Sequence, residues 1–442
     1  MSHAHRGTAR PLRSLPFEPA RYPFFYGWVV LGAGTLGILF SAPGQTVGVS
    51  VFTDPLIQAL GISRNQISLA YMIGTLSSAA LLSSAGRAYD RLGARLVASV
   101  SAAALAATLL LVSFSAGISG SLSAALGVSA PAVGFVVITF GFFLLRFFGQ
   151  GALTLASRNM VMEWFEVHRG IANAIMGVSI SFGFSYAPRV FNAVVRSGGW
   201  ESAWRIIALV VAGAAVLFAV FFRDTPEAHG LTPDGGPVAS RRTPHPEAVG
   251  AADFTLPEAR RTYSFWVFAL TLFLAALLLT AYTFHVVSIF GEVGFGPAQA
   301  VAIFLPASVI AVSFQFGGSW LSNRIKLKYL AIVQLLGMLV LSVGLILLRA
   351  GGSIAIVVVG HGLMQGMFGI TSNITWPRFF GRRHLGAISG FASALTVAGS
   401  AVGPLLFSAL FVFSGSYAVP AAVCGVLALI LFVAAFWAER PV

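Results

Sequence analysis

Gly86-Arg87-Ala88-Tyr89-Asp90-Arg91-Leu92-Gly93-Ala94-Arg95 is a short charged stretch set between two long apolar runs. A weaker copy, Ser319-Trp320-Leu321-Ser322-Asn323-Arg324-Ile325-Lys326-Leu327-Lys328, also lies between apolar runs. Asn323 stands in the copy where Asp90 stands in the first, and three basic residues are kept. Basic loops repeated at corresponding points of two hydrophobic halves imply a duplicated membrane protein whose halves move against each other.

The 442 residues are 57% hydrophobic and 9% charged. That exceeds what a water-soluble fold needs and suits a bundle solvated by hydrocarbon. Lys and Arg number 27 against 14 Asp and Glu, a balance that fits either nucleic acid or anionic lipid. The basic residues sit in short loops and form no stripe with exposed aromatics. They therefore read as orientation signals in a bilayer, and nucleic acid is not expected as a partner. The single cysteine, Cys424, lies in the last apolar run, so no intrachain disulfide can form. Residues 1–25 read as a basic cytoplasmic tail, and the first span as an uncleaved insertion signal.

Apolar stretches of about 20 residues, enough to cross ~30 Å of hydrocarbon as helix, occur at 26–52, 64–85, 95–115, 132–158, 169–194, 203–222, 264–290, 298–321, 328–348, 353–377, 386–413 and 417–437. These predict an all-α membrane protein of twelve spans. A six-helix half, 26–222, is followed by a Pro-, Gly- and Arg-rich cytoplasmic linker, 223–262, and a second half, 263–442. With both termini cytoplasmic, twenty-one of the 27 basic residues fall inside. Arg64, Arg196, Arg205 and Arg349 fall outside, and Arg146 and Arg189 remain within spans. That asymmetry obeys the positive-inside rule, and an error of one span would reverse it downstream. A second echo supports duplication: Gly170 and Gly386, Gly183 and Gly399, and Pro188 and Pro404 share one offset of 216 residues. The repeats are parallel, related by an axis along the membrane normal.

Gly86 to Arg95 resembles the loop motif between spans 2 and 3 of the major facilitator superfamily, and Arg146-Phe147-Phe148-Gly149-Gln150-Gly151 resembles its span 4 motif. Further stretches are similar to the branch holding monocarboxylate transporters and oxalate:formate antiporters. They are Phe25-Tyr26-Gly27-Trp28-Val29-Val30, Trp164 to Gly170, Arg223-Asp224-Thr225-Pro226-Glu227 with Gly230 to Gly235, His285, and Trp376 to Gly386. The resemblance covers nearly the whole chain and implies the major facilitator fold. It also implies alternating access and a cavity lined by spans 1, 4, 7 and 10. Two departures stand out. Between its ends span 8 offers only Ser308, Ser313 and Gln315 as polar groups, and span 11 has no Lys or Arg, where the branch's carboxylate carriers place cations. Ala187-Pro188 stands where the antiporter motif has Gly-Pro.

Enzyme chemistry is not expected. The only two lysines, Lys326 and Lys328, share one loop, and no phosphate-binding loop or His-Glu-x-x-His occurs. Gly32-Ala33-Gly34-Thr35-Leu36-Gly37 matches a dinucleotide pattern but lies inside a span with no preceding strand, so it reads as close helix packing. No cofactor and no metal is expected.

Ionisable groups inside spans are costly, roughly 2.5–3.5 kcal/mol for Arg at the bilayer centre, and usually face a cavity. Arg146, with Gln150 one turn on, is either an anion-binding cation or a structural arginine bonded to neighbouring carbonyls. Arg189, after Pro188, either gates or contacts substrate, or satisfies the carbonyl that the proline frees. Gln45, Tyr282 with His285, and His361 with Gln365 complete the polar groups of the four cavity-lining spans. Spacings of i, i+3 and i, i+4 put each of the last two pairs on one face. The histidines either meet substrate or proton, or simply bond one helix to another. No carboxylate lies mid-span, since Asp54 and Glu292 sit at outer ends. A fixed positive charge without a buried negative one favours an anion, with a proton or a counter-anion left open as coupling partner.

The loop motif reads as a gate. Asp90, beside Gly86, Arg91, Gly93 and Arg95, can accept from the N-terminus of an opposing helix, which by resemblance is span 11 near Gly386, Ala387 and Ile388. Asn323 with Arg324 would latch the second half less strongly. The bland reading of the same charges is membrane orientation alone. The expectation is thus a monomeric, multi-pass carrier in the cell (inner) membrane. It moves a small organic anion, a monocarboxylate by preference, by rocking of its halves. The alternatives are an exporter of amphipathic compounds and a transporter-like sensor.

Overall fold

The computed structural model describes residues 16–235, 253–348 and 352–441. The tail arginines up to Arg13, Arg241, Arg242 and Arg349 lie outside the described residues. Among the described residues no strand occurs, and eleven helices are long and apolar enough to cross a membrane. One of them, Arg169–Phe221, has 53 residues, roughly 80 Å at ~1.5 Å per residue and more than two hydrocarbon cores. It breaks at Gly199, whose φ of 81° and ψ of 167° suit only glycine. That helix is therefore two spans, and the total is twelve.

In chain order the spans are α1 Gly27–Phe40, α2 Arg64–Leu92, α3 Ala94–Ser113, α4 Ala130–Trp164, α5 at 169–198 and α6 at 200–221. The second set is α7 Tyr263–Glu292, α8 Phe304–Ser322, α9 Leu327–Ile346, α10 Gly352–Phe380, α11 Leu385–Ser414 and α12 Ala418–Ala435. Hydrocarbon forces each span to satisfy its own backbone, so helix is the only local solution. Caps fix the starts: Ser63 and Gln66 form a reciprocal capping box at α2, and the Thr262 hydroxyl accepts from Phe265 N at α7.

Buried side chains form two cores, one drawn from Tyr26 to Phe222 and one from Ala259 to Ala438. Equivalent tryptophans anchor them. Trp164 lies 5.9 Å from Phe25 and 5.7 Å from Tyr26, ring to ring, and Trp376 lies 5.5 Å from Phe265. Several stretches that carry the family resemblance are thus packing elements.

Three features depart from the sequence reading. The first span is not continuous: α1 stops at Phe40, Ala42–Gly44 is a 3-10 turn, and Gln45 is extended at φ −85° and ψ 159° before Thr46–Val49 resumes. Pro43 causes this, because it lacks an N–H and crowds the preceding turn. Ser115–Leu126, which falls almost wholly between the expected spans 95–115 and 132–158, is helical. The linker carries short helices at Glu227–His229 and Leu256–Ala259.

The loops after α2, α4, α6, α8 and α10 share one end of the bundle with Pro19–Arg21 and the C-terminal residues; this is the basic end. There the halves touch through glycine. A side chain at Gly86 of α2 would strike the Gly386 carbonyl of α11, and one at Gly170 of α5 would strike the Ser319 carbonyl of α8. The two contacts are equivalent under the internal repeat.

Candidate functional site

The break in α1 faces a second irregularity. In α4, Arg146–Leu153 is a π-helical turn, a form that concentrates at functional sites. Gly44 and Gly149 let the two irregular backbones close up: a Cβ on Gly149 would sit 2.9 Å from Gly44 Cα. Broken helices at membrane depth are tolerated where they line a cavity.

Arg146 projects from this turn and is 1% exposed. Its Nη1 donates to the Gly44 carbonyl at 3.3 Å and to Thr46 Oγ1 at 3.4 Å, and the guanidinium lies over the Tyr71 ring, 5.1 Å from its centroid. No carboxylate pairs with it among the described residues, and its Nε has no partner. Gln150 Oε1 is a second buried atom without a partner. Gln45 is committed to packing, its amide donating to Ser41 Oγ at 2.9 Å and Thr154 Oγ1 at 3.3 Å. So Arg146, Gln45 and Gln150 gather at one place, but only part of the guanidinium is bonded.

The second half arranges its groups differently from their helical spacing. The Tyr282 hydroxyl meets His361 Nδ1 at 2.5 Å, joining α7 to α10, with the Phe304 ring 5.8 Å from the imidazole. His285, three residues from Tyr282, turns away. Its Nε2 meets the Pro404 carbonyl at 3.0 Å and its Nδ1 the Tyr417 hydroxyl at 3.3 Å. A carbonyl only accepts, so Nε2 carries a proton and donates to Pro404. One turn below, Thr280 donates to the Ser400 carbonyl, which Pro404 leaves without its helical donor. Gln365 is half-buried and makes no hydrogen bond to the described residues. Arg189 is exposed, opposite the face of α5 that packs through Phe184, Ala187 and Phe191, and bonds no carbonyl freed by Pro188.

At the basic end, Asp90 accepts from Gly386 N at 2.7 Å and from Ala387 N at 2.8 Å. A carboxylate thus sits on the positive end of α11. Neutral side chains join the halves beside it. Asn159 of α4 donates to Ser389 Oγ at 2.7 Å. Asn173 of α5 donates to Ser319 Oγ at 3.2 Å and accepts from Asn373 Nδ2 at 2.7 Å. Arg382 pairs with Glu227 at 2.9 Å. Burial alone would lower Arg382, but the hydrogen bond and charge of Glu227 outweigh it and raise it. A cavity of about 450 Å³ lies here, lined by Glu163, Glu166, Arg169, Glu227, Arg378 and Arg382 among others.

Other members of the loop motif act within their own half. Arg95 Nε donates to the Ala219 carbonyl and its N–H to Asp224, tying α3 to α6. Gly93 makes the turn at φ 85°. Arg91 is exposed, and Arg324 stacks on Trp320, 3.7 Å from the ring centroid. Asn323 does not cap α5. Its oxygen accepts from Arg378 at 3.3 Å. The Asp234 carboxylate instead takes the N–H groups of the loop just before α5, those of Glu166, Val167 and His168.

Sequence reading missed Thr46, Tyr71, Asn159, Asn173, Asn373 and Glu163, the last buried at 6% exposure with Tyr89 donating to it at 2.8 Å. For Thr46, Tyr71, Asn173 and Asn373 the signal was polarity inside apolar runs, and for Asn159 and Glu163 polarity just past one.

Two six-span halves, broken helices at membrane depth and a polar seam at one end define a multi-pass transport protein. The chain belongs to the Major Facilitator Superfamily, whose family model matches residues 34–404. A relative from Cupriavidus necator, the probable sulfoacetate transporter SauU, is 24% identical over 90% of this chain and 90% of its own length. MFS-type transporter 1 of an Ophiocordyceps species is 28% identical over 30% of this chain and 26% of its own. Among solved structures, the proton:xylose symporter XylE aligns at TM-score 0.65 and 16% identity, over 92% of this chain and 94% of that one. FucP in the outward conformation aligns at TM-score 0.62 and 12% identity, over 94% and 100%.

Proposed function

We propose that this protein carries a small organic anion, a monocarboxylate or a short sulfonate, across the cell inner membrane by alternating access. The observation that carries the reading is Arg146: a cation 1% exposed, at the level where α1 is broken, with an unpartnered Nε and no acidic partner among the described residues. Burying such a charge costs several kcal/mol unless something compensates, and an anionic substrate would do so while bound. The Cupriavidus relative, named for an organic anion, supports the substrate class. With the basic end cytoplasmic, the bonds of Asp90, Asn159 and Asn173 hold the inner gate shut and the substrate path faces outward. Thermal unfolding of the purified protein with acetate, lactate, oxalate, sulfoacetate, acetamide and tetraphenylphosphonium tests this. Stabilisation by one or more of the anions and by neither control is expected. Stabilisation by the hydrophobic cation alone would favour an exporter of amphipathic compounds instead.

A further inference from the structure

The Thr46 and Tyr71 hydroxyls lie 2.8 Å apart, directly in front of Arg146. Thr46 is exposed and Tyr71 half-buried, whereas the guanidinium behind them is 1% exposed. The place of Tyr71 on α2 says what its open edge faces. Its ring meets Phe142 of α4 edge-on at 5.5 Å, and Gly74, three residues on, packs against the α4 backbone at Phe143. Leu82, eleven residues from Tyr71, sits almost on the same helical line, three turns or roughly 16 Å nearer the basic end. Leu82 stands where both α4 and α11 meet α2: a Cβ on Gly151 of α4 would lie 3.0 Å from its side chain, and one on Gly390 of α11 3.0 Å from its carbonyl. Tyr71 therefore lies at the border between the sides of α2 that meet α4 and α11, above the point where the halves close. Its open edge faces the space between them.

Hydrogen-bond polarity gives the chemistry. A guanidinium only donates, so Thr46 Oγ1 accepts from Arg146. Thr46 Oγ1 keeps a second lone pair, so the Thr46–Tyr71 bond can run either way; when Thr46 donates, the phenol proton is left for the cavity, and an anion there selects that arrangement. Each bond in such a chain polarises the next. The outward group is a donor backed by a buried positive charge. That suits a carboxylate or sulfonate oxygen and repels a cation.

Resting on the anion-carrier reading above, we propose that the Thr46–Tyr71 hydroxyl pair is the substrate contact of this half, and that Arg146 is a positioning residue acting through Thr46. Calorimetric titration of the full-length purified protein with sulfoacetate, acetate, lactate and oxalate tests it, with ligand-free unfolding temperature as the folding control. Wild type binds at least one of these anions. Tyr71→Phe and Thr46→Val weaken that binding about tenfold or more, and Thr46→Ser, which keeps the hydroxyl, restores it. Arg146→Lys weakens binding in the wild-type background but changes it less than about twofold when Thr46 is already valine. Undiminished affinity in Tyr71→Phe, or equal losses for Arg146→Lys in both backgrounds, would overturn the assignment while the carrier reading stands. Wild type binding none of the anions would overturn both. Should Arg146→Lys not fold, Tyr71→Phe and the Thr46→Val/Thr46→Ser pair decide alone.

Discussion

Asp90→Asn should shift the protein toward forms open at the basic end. The carboxylate accepts from Gly386 N at 2.7 Å and Ala387 N at 2.8 Å, where the α11 dipole is positive. Hydrogen bonds to a charged group contribute roughly 1.5–3 kcal/mol and neutral ones roughly 0.5–1.5. Asparagine has one acceptor oxygen, so one bond is lost and the other becomes neutral. Water replaces part of the loss once the gate opens, leaving about 2 kcal/mol, or roughly thirtyfold in the closed-to-open ratio. The Asn159–Ser389 and Asn173–Asn373 bonds remain, so the outcome is a population shift and not unfolding. Spin labels at Arg91 and Arg383, both exposed, in a Cys424→Ala background would report the separation of α2 and α11 at this end. A longer distance component should grow in Asp90→Asn. Identical distance distributions in the two proteins would refute the latch and leave the loop a topology signal.

Gly86→Ala should open the same end or destabilise the closed form, because the new methyl strikes the Gly386 carbonyl; Gly117→Ala, with nothing within 4 Å, should leave the same label distances unchanged. His285→Ala leaves the Tyr417 hydroxyl without its α7 partner and should lower the unfolding temperature by an amount equivalent to about 1–3 kcal/mol. Glu439, held below the usual carboxylate range by hydrogen bonds from Lys328 and Lys326, should contribute stability that is present above about pH 4.5 and lost as pH falls through its lowered value. Glu439→Gln should remove that part of the acid sensitivity of thermal unfolding.

Twelve spans were legible because length and hydropathy alone decide them in lipid, and the positive-inside asymmetry checks their register. The α1 break is also written in the chain: Pro43-Gly44 is a turn signal inside an apolar run, one that hydropathy averages across. The arrangement of site residues was less accessible. Spacing places Tyr282 and His285 on one face but does not say which neighbour each meets, and the bundle sends one to α10 and the other to α11 and α12. In the sequence Asp234 and Asp253 are two charges in a Pro- and Gly-rich linker, with nothing local to mark their partners. Only the folded chain shows them capping the loops before α5 and α11, through Glu166 to His168 and through Arg382 and Arg383. Local pattern encodes elements; partners between elements are set by how glycine contacts such as Gly86–Gly386 let the helices approach.

The most direct measurement is counterflow in proteoliposomes holding purified protein, loaded in turn with unlabelled sulfoacetate, acetate, lactate and oxalate and diluted into a trace of the same radiolabelled anion. Wild type should accumulate at least one label transiently above its equilibrium level, and Arg146→Gln, reconstituted to the same density, should not. No overshoot with any of the four anions, or the same overshoot in Arg146→Gln, would contradict an anion carrier built around that buried charge.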